Sequence, residues 1–387
     1  KRFRTPDESY GPQLLHDLGY YMRDRFARYV SELRSYAEEY GISGVPFVIN
    51  IHGTGGGRGF GFPIGISQLY RSYTQSPNYL PGSDIYIGDL TMNNFQDLYI
   101  INSYMTAVNT ADQPITSMEF EAGDGNYGDT YGGRYDPSSI DLKTRMCIAQ
   151  GNRLLNYYLF AGGINYVLEP KPDDGNNRIA ITGERHGFAA PISPEGKLNY
   201  TYPRTARIIK TVMALSEKLS TMKEDHDNLT LAFIPDYFMT EYCHPTNRRM
   251  REIVENLTHH RAYESWEILV RALLLLNYRF GAIDIQGSDV DPSTTHALIV
   301  PSALYMDKQI QEKLVDYAKK GGNLLIYGQI PQFDMEANRC TILSEALSVE
   351  SAFMRESTNN FYLSVYTDGW AKIDHSEVRC QSAQHFK

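Results

Sequence analysis

The chain has 387 residues, 42% of them hydrophobic and 21% charged, with a formal net charge of −9. That length exceeds what one hydrophobic core usually fills, so more than one domain is expected. The acidic balance excludes electrostatic attraction to nucleic acid or an anionic membrane surface, and no apolar run approaches the roughly 18 residues of a membrane span. Cys147, Cys243, Cys340 and Cys380 are widely spaced and form no CxxC pair. This fits neither a disulfide framework nor a zinc ribbon and points to a reducing, cytoplasmic setting. Cys243 beside His244 lacks a second ligand pair, so no metal is expected.

From Tyr20 to Tyr40 apolar residues recur at helical spacing, and Gly41 stands where a helix C-cap is expected. The helix feeds VPFVINI (45–51), the continuous apolar run of a strand buried in a parallel sheet. The next stretch, HGTGGGRGFGF, looks at first like a phosphate-binding turn, but its spacing rejects that. Starting from Gly53, Gly55, Gly57 or Gly59, the third fingerprint position is Arg58, Phe60, Phe62 or Ile64, and the Gly196-Lys197 pair precedes Leu198 rather than Ser or Thr. Further strands are predicted at 83–90, 115–123 and 154–163, with helices over 93–108 and 141–154 between them, and a closing helix over 203–222.

The four predicted strands end in polar or Gly-containing clusters: His52-Gly53, Gly88-Asp89, Glu119 to Asp124, and Gly162-Gly163 to Asn165. A barrel gathers its site from the C-terminal ends of several strands, whereas an open sheet concentrates it at one switch point. The expected fold class is therefore α/β, with residues 1–222 as the C-terminal half of a (β/α)8 TIM barrel. A second βα unit is expected over 223–347, with strands at 228–238, 281–287, 296–303 and 323–329 and helices at 265–280 and 306–322. It carries no phosphate fingerprint and no nucleophile–base pair, which favours an interaction or structural role. From 348 to 387 the alternation of NNFYLSVYTDGWAKI reads as the start of a β-rich domain.

The stretch SMEFEAGDGNYG (117–128) concentrates the chemistry. Strand alternation would put Glu119 and Glu121 on one face with Phe120 opposite, and a carboxylate there is costly to bury without a reaction to perform or a cationic partner such as Arg185. The 29 tyrosines supply faces that stack on sugar rings and edges that bond hydroxyls.

These motifs resemble the β-galactosidases of glycoside hydrolase families 42 and 35. Glu119-Phe120-Glu121-Ala122-Gly123 is similar to the nucleophile motif on the seventh barrel strand, LNYYLFAGGINY (155–166) to the eighth-strand motif, and FAAPISPEGKLN (188–199) to the loop after the barrel. The resemblance implies a retaining β-galactosidase acting by double displacement, with Glu119 as nucleophile and Glu121 as runner-up. It implies His52, Phe60, Phe62, Asp89, Tyr157, Phe160 and Asn165 as substrate-binding residues, the glycine-rich stretch as a loop closing on the sugar, and no cofactor. The 223–347 unit is similar to the flavodoxin-like domain that follows the barrel in family 42, which implies a possible homo-oligomer. The family's acid/base lies in an Asn-Glu pair on the fourth strand, and this chain contains no Asn-Glu dipeptide. The expectation is thus an acid/base outside this chain, on a preceding half-barrel, with no activity from the chain alone; Glu8 is a distant substitute. An α-L-arabinopyranosidase and a non-catalytic glycan-binding barrel are the alternatives.

Overall fold

The computed structural model describes residues 3–51, 64–122, 136–164, 185–187, 190–358, 363–367, 376–380 and 382–386. Helix α1 (Gly11–Glu39) begins nine residues before the predicted start, with Pro12 in its first turn, where the missing N–H costs nothing. Its end is as the sequence indicates. Gly41 takes φ +90°, its amide bonds Glu38 O at 3.0 Å, and the Ile42 amide bonds Ala37 O at 2.9 Å, the paired bonds of a Schellman cap.

Strands β1 (Phe47–Ile51), β2 (Tyr79–Ile85), β3 (Ile115–Glu121) and β4 (Asn152–Tyr158) form one all-parallel sheet in strictly sequential order. Strand β2 sits four residues earlier than predicted, because Pro81 and Gly82, both poor strand formers, lie inside it. Helices α2 (Ile64–Thr74), α3 (Phe95–Val108) and α4 (Ser138–Ala149) pack on one face of the sheet. On the other face Val48, Leu154 and Tyr158 remain 39%, 40% and 37% exposed, and Asn50 and Asn156 are exposed with them. Parallel sheets are normally covered on both sides, so an open apolar face of this kind calls for a cover.

Two short strands, β5 (Gly163–Ile164) and β6 (Arg185–His186), pair antiparallel after the first sheet. The second sheet has the order β8-β7-β9-β10, built from β7 (Thr230–Phe233), β8 (Gly281–Asp284), β9 (Ala297–Ser302) and β10 (Asn323–Gly328), again all parallel. The order reverses between β7 and β9, and such a switch point is where a doubly wound sheet ordinarily binds a ligand. Here Tyr237 fills that place: it is 3% exposed, its hydroxyl donates to Tyr305 O at 2.8 Å, and the Ala303 amide donates to it at 3.2 Å. A helix outside the predicted elements precedes β8. Asn247 caps α5 (Arg248–Thr258) by accepting from the Met250 amide, and Met250, Ile253 and Leu257 form its buried stripe. The helix then continues as π-helix over His259–Val270. Beyond it, antiparallel pairs join Ser351–Glu356 with Ser382–Phe386 and Leu363–Thr367 with Ser376–Cys380.

Helix α3 binds the two sheets into one core. It is buried around its whole circumference, with Leu98, Ile100, Ile101, Tyr104 and Met105 as its apolar side chains. Tyr104 stacks on Phe233 of β7 at 4.2 Å, and the Tyr99 hydroxyl donates to Phe280 O at 2.8 Å. A buried ion pair adds to this junction: Arg23 of α1 donates to Asp236 beyond β7 at 3.0 Å, and His16 lies 3.5 Å from the same carboxylate. Burial pushes against ionisation of Asp236, but the His16 hydrogen bond and the Arg23 charge outweigh it and hold the carboxyl down at about 2. A depressed folded pKa gives stability that is complete above the unfolded value and is lost as pH falls through the folded one. Stability against urea should therefore decline between about pH 4 and pH 2, and more steeply than in Asp236→Asn. Parallel declines in the two proteins would contradict this.

Candidate active site

Strand β3 is not a regular strand. Ser83 pairs with Ser117 and Asp84 with Glu119, while on the other side Ser117 pairs with Leu155 and Phe120 with Tyr157. Against both neighbours β3 thus carries one extra residue at Met118–Glu119, a β-bulge, which breaks alternation and re-aims side chains. The carbonyl of Met118 accepts from Asn156 Nδ2 of β4 at 2.8 Å. The Met118 side chain lies over Gly82: a Cβ there would meet Met118 Cγ at 2.2 Å. Gly82→Ala should therefore displace the bulge and destabilise the protein by about 1–3 kcal/mol, the usual cost of overpacking. A denaturation midpoint unchanged from the native protein would refute this use of the glycine.

The bulge turns Glu119 onto the open face. Asn50 of β1 donates to its Oε1 at 3.0 Å and the Tyr86 hydroxyl to its Oε2 at 2.5 Å, so groups from three successive strands converge on one carboxylate. Burial and that acceptor both raise the pKa of Tyr86, which keeps its proton for Glu119, and its ring meets Tyr158 edge-on at 6.0 Å. Beside them is Asp84, 8% exposed, whose pKa is pushed up to about 7 by burial and by the charge of Glu119, against a hydrogen bond from Asn50.

Glu121 does not share this face. It is 3% exposed, accepts from the Gly88 amide at 2.5 Å and pairs with the buried Lys143 of α4 at 3.1 Å. The Lys143 ammonium also stands 6.0 Å from the Phe120 ring, so Glu121 lies on the helix side with Phe120 rather than opposite it. The expected shared face fails at the last residue of the strand, where Glu121 turns to Lys143 and the Gly88 amide. The ion pair weighed for a buried carboxylate does exist, with Lys143 as cation in place of Arg185.

The structure also places four more of the expected residues. Tyr157 points to the helices, its hydroxyl 2.9 Å from Thr144 Oγ1 and its ring edge-on to Phe120 at 5.4 Å; its neighbour Tyr158 is the one on the open face. Phe160 packs against Tyr202 at 6.5 Å. Asp89 accepts the Asp136 amide at 3.0 Å and so anchors the start of α4. Glu8 accepts the amides of Arg248 and Arg249 at 2.7 and 2.9 Å, at the start of α5, where a carboxylate complements the helix dipole. His52, Phe60, Phe62 and Asn165, with the glycine-rich stretch, lie outside the described residues. Asn50, Asp84, Tyr86 and Asn156 were not anticipated. Asn50 was visible as the one polar side chain inside VPFVINI; the others carry no local signal.

Among the described residues no cluster of three or more His, Cys, Asp or Glu could hold a metal, and no helix is long and apolar enough to cross a membrane.

The fold is that of known glycosidases. Over 98% of the chain it matches 53% of a β-galactosidase from the psychrophilic Marinomonas ef1, with a TM-score of 0.65 at 11% identity. Residues 248–386 match the family model of the GLMA-like second domain. Among curated proteins, a β-1,2-glucosyltransferase of Ignavibacterium album is 23% identical over 344 residues, covering 86% of this chain and 45% of that protein. An exo-β-D-glucosaminidase of Pyrococcus horikoshii is 26% identical over 250 residues, covering 63% of this chain and 30% of that protein. The chain thus spans less than half the length of these curated relatives.

Proposed function

We propose that this chain is part of a retaining glycosidase in which Glu119 is the nucleophile, and that β1–β4 form half of its catalytic barrel. The observation that carries the reading is the bulge of β3, which presents Glu119 on the open sheet face between Asn50 and Tyr86. In the retaining mechanism one carboxylate attacks the anomeric carbon while a second, about 5 Å away, protonates the leaving oxygen and then activates water. The two donors, Asn50 and Tyr86, hold the Glu119 carboxylate in one orientation, as a nucleophile needs.

The half-barrel reading is supported by the sheet itself. Its order is sequential, with no switch point, and its open face carries Val48, Leu154 and Tyr158. Helix α1 also carries an exposed stripe, Tyr29, Leu33, Tyr36 and Tyr40, at the spacing of a helix that packs against further elements. On this reading four more βα units cover both surfaces and supply the acid/base. The residues over 223–347 then form a flavodoxin-like unit, supported by strand order and by the filled switch point.

Terminal β-D-galactosides are the substrate class of choice, supported by the resemblance to family 42 and by the shared fold. The curated relatives add a second reading. The printed activity of the β-1,2-glucosyltransferase favours transfer of the glycosyl group to a sugar hydroxyl instead of water, through the same covalent intermediate on Glu119. The test is to trap that intermediate with 2-deoxy-2-fluoro galactosyl and glucosyl fluorides and to find the labelled residue by mass spectrometry. Label on Glu121, or on neither glutamate, would reject the assignment. Adding water or an acceptor sugar to the labelled protein then separates hydrolysis from transfer.

A further inference from the structure

Asp84 is the buried acid that the double displacement does not use. It sits on β2 directly opposite Glu119 in the β2–β3 register, at the point where β3 is bulged, and it is 8% exposed. Asn50 of β1 touches both carboxyls: its Nδ2 donates to Glu119 Oε1 at 3.0 Å, and its side chain also hydrogen-bonds Asp84. Tyr86 closes the group from the end of β2, its hydroxyl donating to Glu119 and the Tyr158 ring of β4 against it.

Two neighbouring carboxyls in a partly dry site cannot both ionise cheaply, and the charge settles where the donors are. Glu119 has two donors, from Asn50 and Tyr86. Asp84 is the more buried of the two and takes the proton. We propose that Asp84 is a positioning residue for the nucleophile: as a neutral carboxyl it shares Asn50 with Glu119 and holds that amide in place without setting a second negative charge beside it. Once Asp84 ionises, the two carboxylates compete for Asn50 and repel each other, and Glu119 loses its aim. The geometry is supported by the pKa of Asp84, raised to about 7 by burial and by Glu119.

This inference rests on Glu119 being the nucleophile, and the experiment separates the two. The rate constant for covalent labelling by the 2-deoxy-2-fluoro glycosyl fluorides is measured against pH in the intact protein, because fluoride leaves with little help from a general acid. In the unsubstituted protein labelling should fall by about tenfold per pH unit once Asp84 has ionised, the slope of a single titrating group. Asp84→Asn, a permanently neutral isostere, should label within about threefold of the native rate below neutrality and lose the alkaline fall. Asp84→Ala, which leaves Asn50 without that partner, should label roughly tenfold more slowly at every pH with little change in the concentration giving half-maximal rate.

An alkaline fall retained in Asp84→Asn, or a native rate in Asp84→Ala, overturns the proposal alone. Absence of label on Glu119 in the unsubstituted protein overturns the nucleophile reading and this proposal together. If a variant fails to fold, infrared difference spectra of the unsubstituted protein still decide. A protonated carboxyl band that persists into the neutral range and disappears above it supports the proposal, and loss of every such band by about pH 5, as for ordinary carboxyls, overturns it.

Discussion

Replacing Glu119 by Gln in the intact protein is expected to lower turnover of an aryl β-galactoside by roughly four orders of magnitude or more while leaving the fold intact. Gln preserves the shape of the side chain and can still meet Asn50 and Tyr86, whose bonds to Glu119 are 3.0 and 2.5 Å. What it removes is the anionic oxygen that must bond to the anomeric carbon. The loss should fall on kcat far more than on KM, since ground-state binding of the sugar does not need that bond. Thermal unfolding should be close to native, because the carboxylate lies at the open end of a bulge and not in the core. A variant retaining more than about a tenth of native turnover would end the nucleophile assignment.

Replacing Lys143 by Met should give the largest loss of stability, about 3–5 kcal/mol, because it strands the Glu121 carboxylate in the interior. The side chains of Lys143 and Glu121 are 1% and 4% exposed, and their 3.1 Å pair ties the middle of α4 to the end of β3. Adding Glu121→Gln should restore much of the loss, since the second substitution removes the charge that Lys143 balanced and leaves a group able to keep the Gly88 amide bond. Urea denaturation of the two single variants and the double variant measures this coupling. A loss under about 1 kcal/mol for Lys143→Met would mean that water reaches Glu121. The variant also bears on mechanism: Lys143→Met that still folds should still be labelled at Glu119, whereas a nucleophile at Glu121 would lose its cationic neighbour and its labelling together.

Both predictions depend on a difference between two glutamates that no pattern in the chain reveals. The βα alternation, the run VPFVINI, the cap at Gly41 and the position of Glu119 near the end of a strand were all legible, since each is written in neighbouring residues and in the periods of helix and strand. The helix over Arg248–Thr258 lies outside the predicted elements, although Asn247 and the spacing of Met250, Ile253 and Leu257 are local signals of it. The expectation of a sugar site came from the resemblance of motifs such as Glu119-Phe120-Glu121-Ala122-Gly123 to those of family 42.

Tertiary structure alone decided which side chains meet. The bulge at Met118–Glu119 exists because β3 must match β2 and β4 at once, and register between strands tens of residues apart is not encoded in the alternation of one strand. That extra residue presents Glu119 on the open face, while Lys143 and the Gly88 amide hold Glu121 on the helix side. In the same way the register of β4 exposes Tyr158 and turns Tyr157 to Thr144. The state of Asp84 is likewise a property of its surroundings. An aspartate ordinarily loses its proton near pH 4, and only burial next to Glu119 keeps that proton near neutrality.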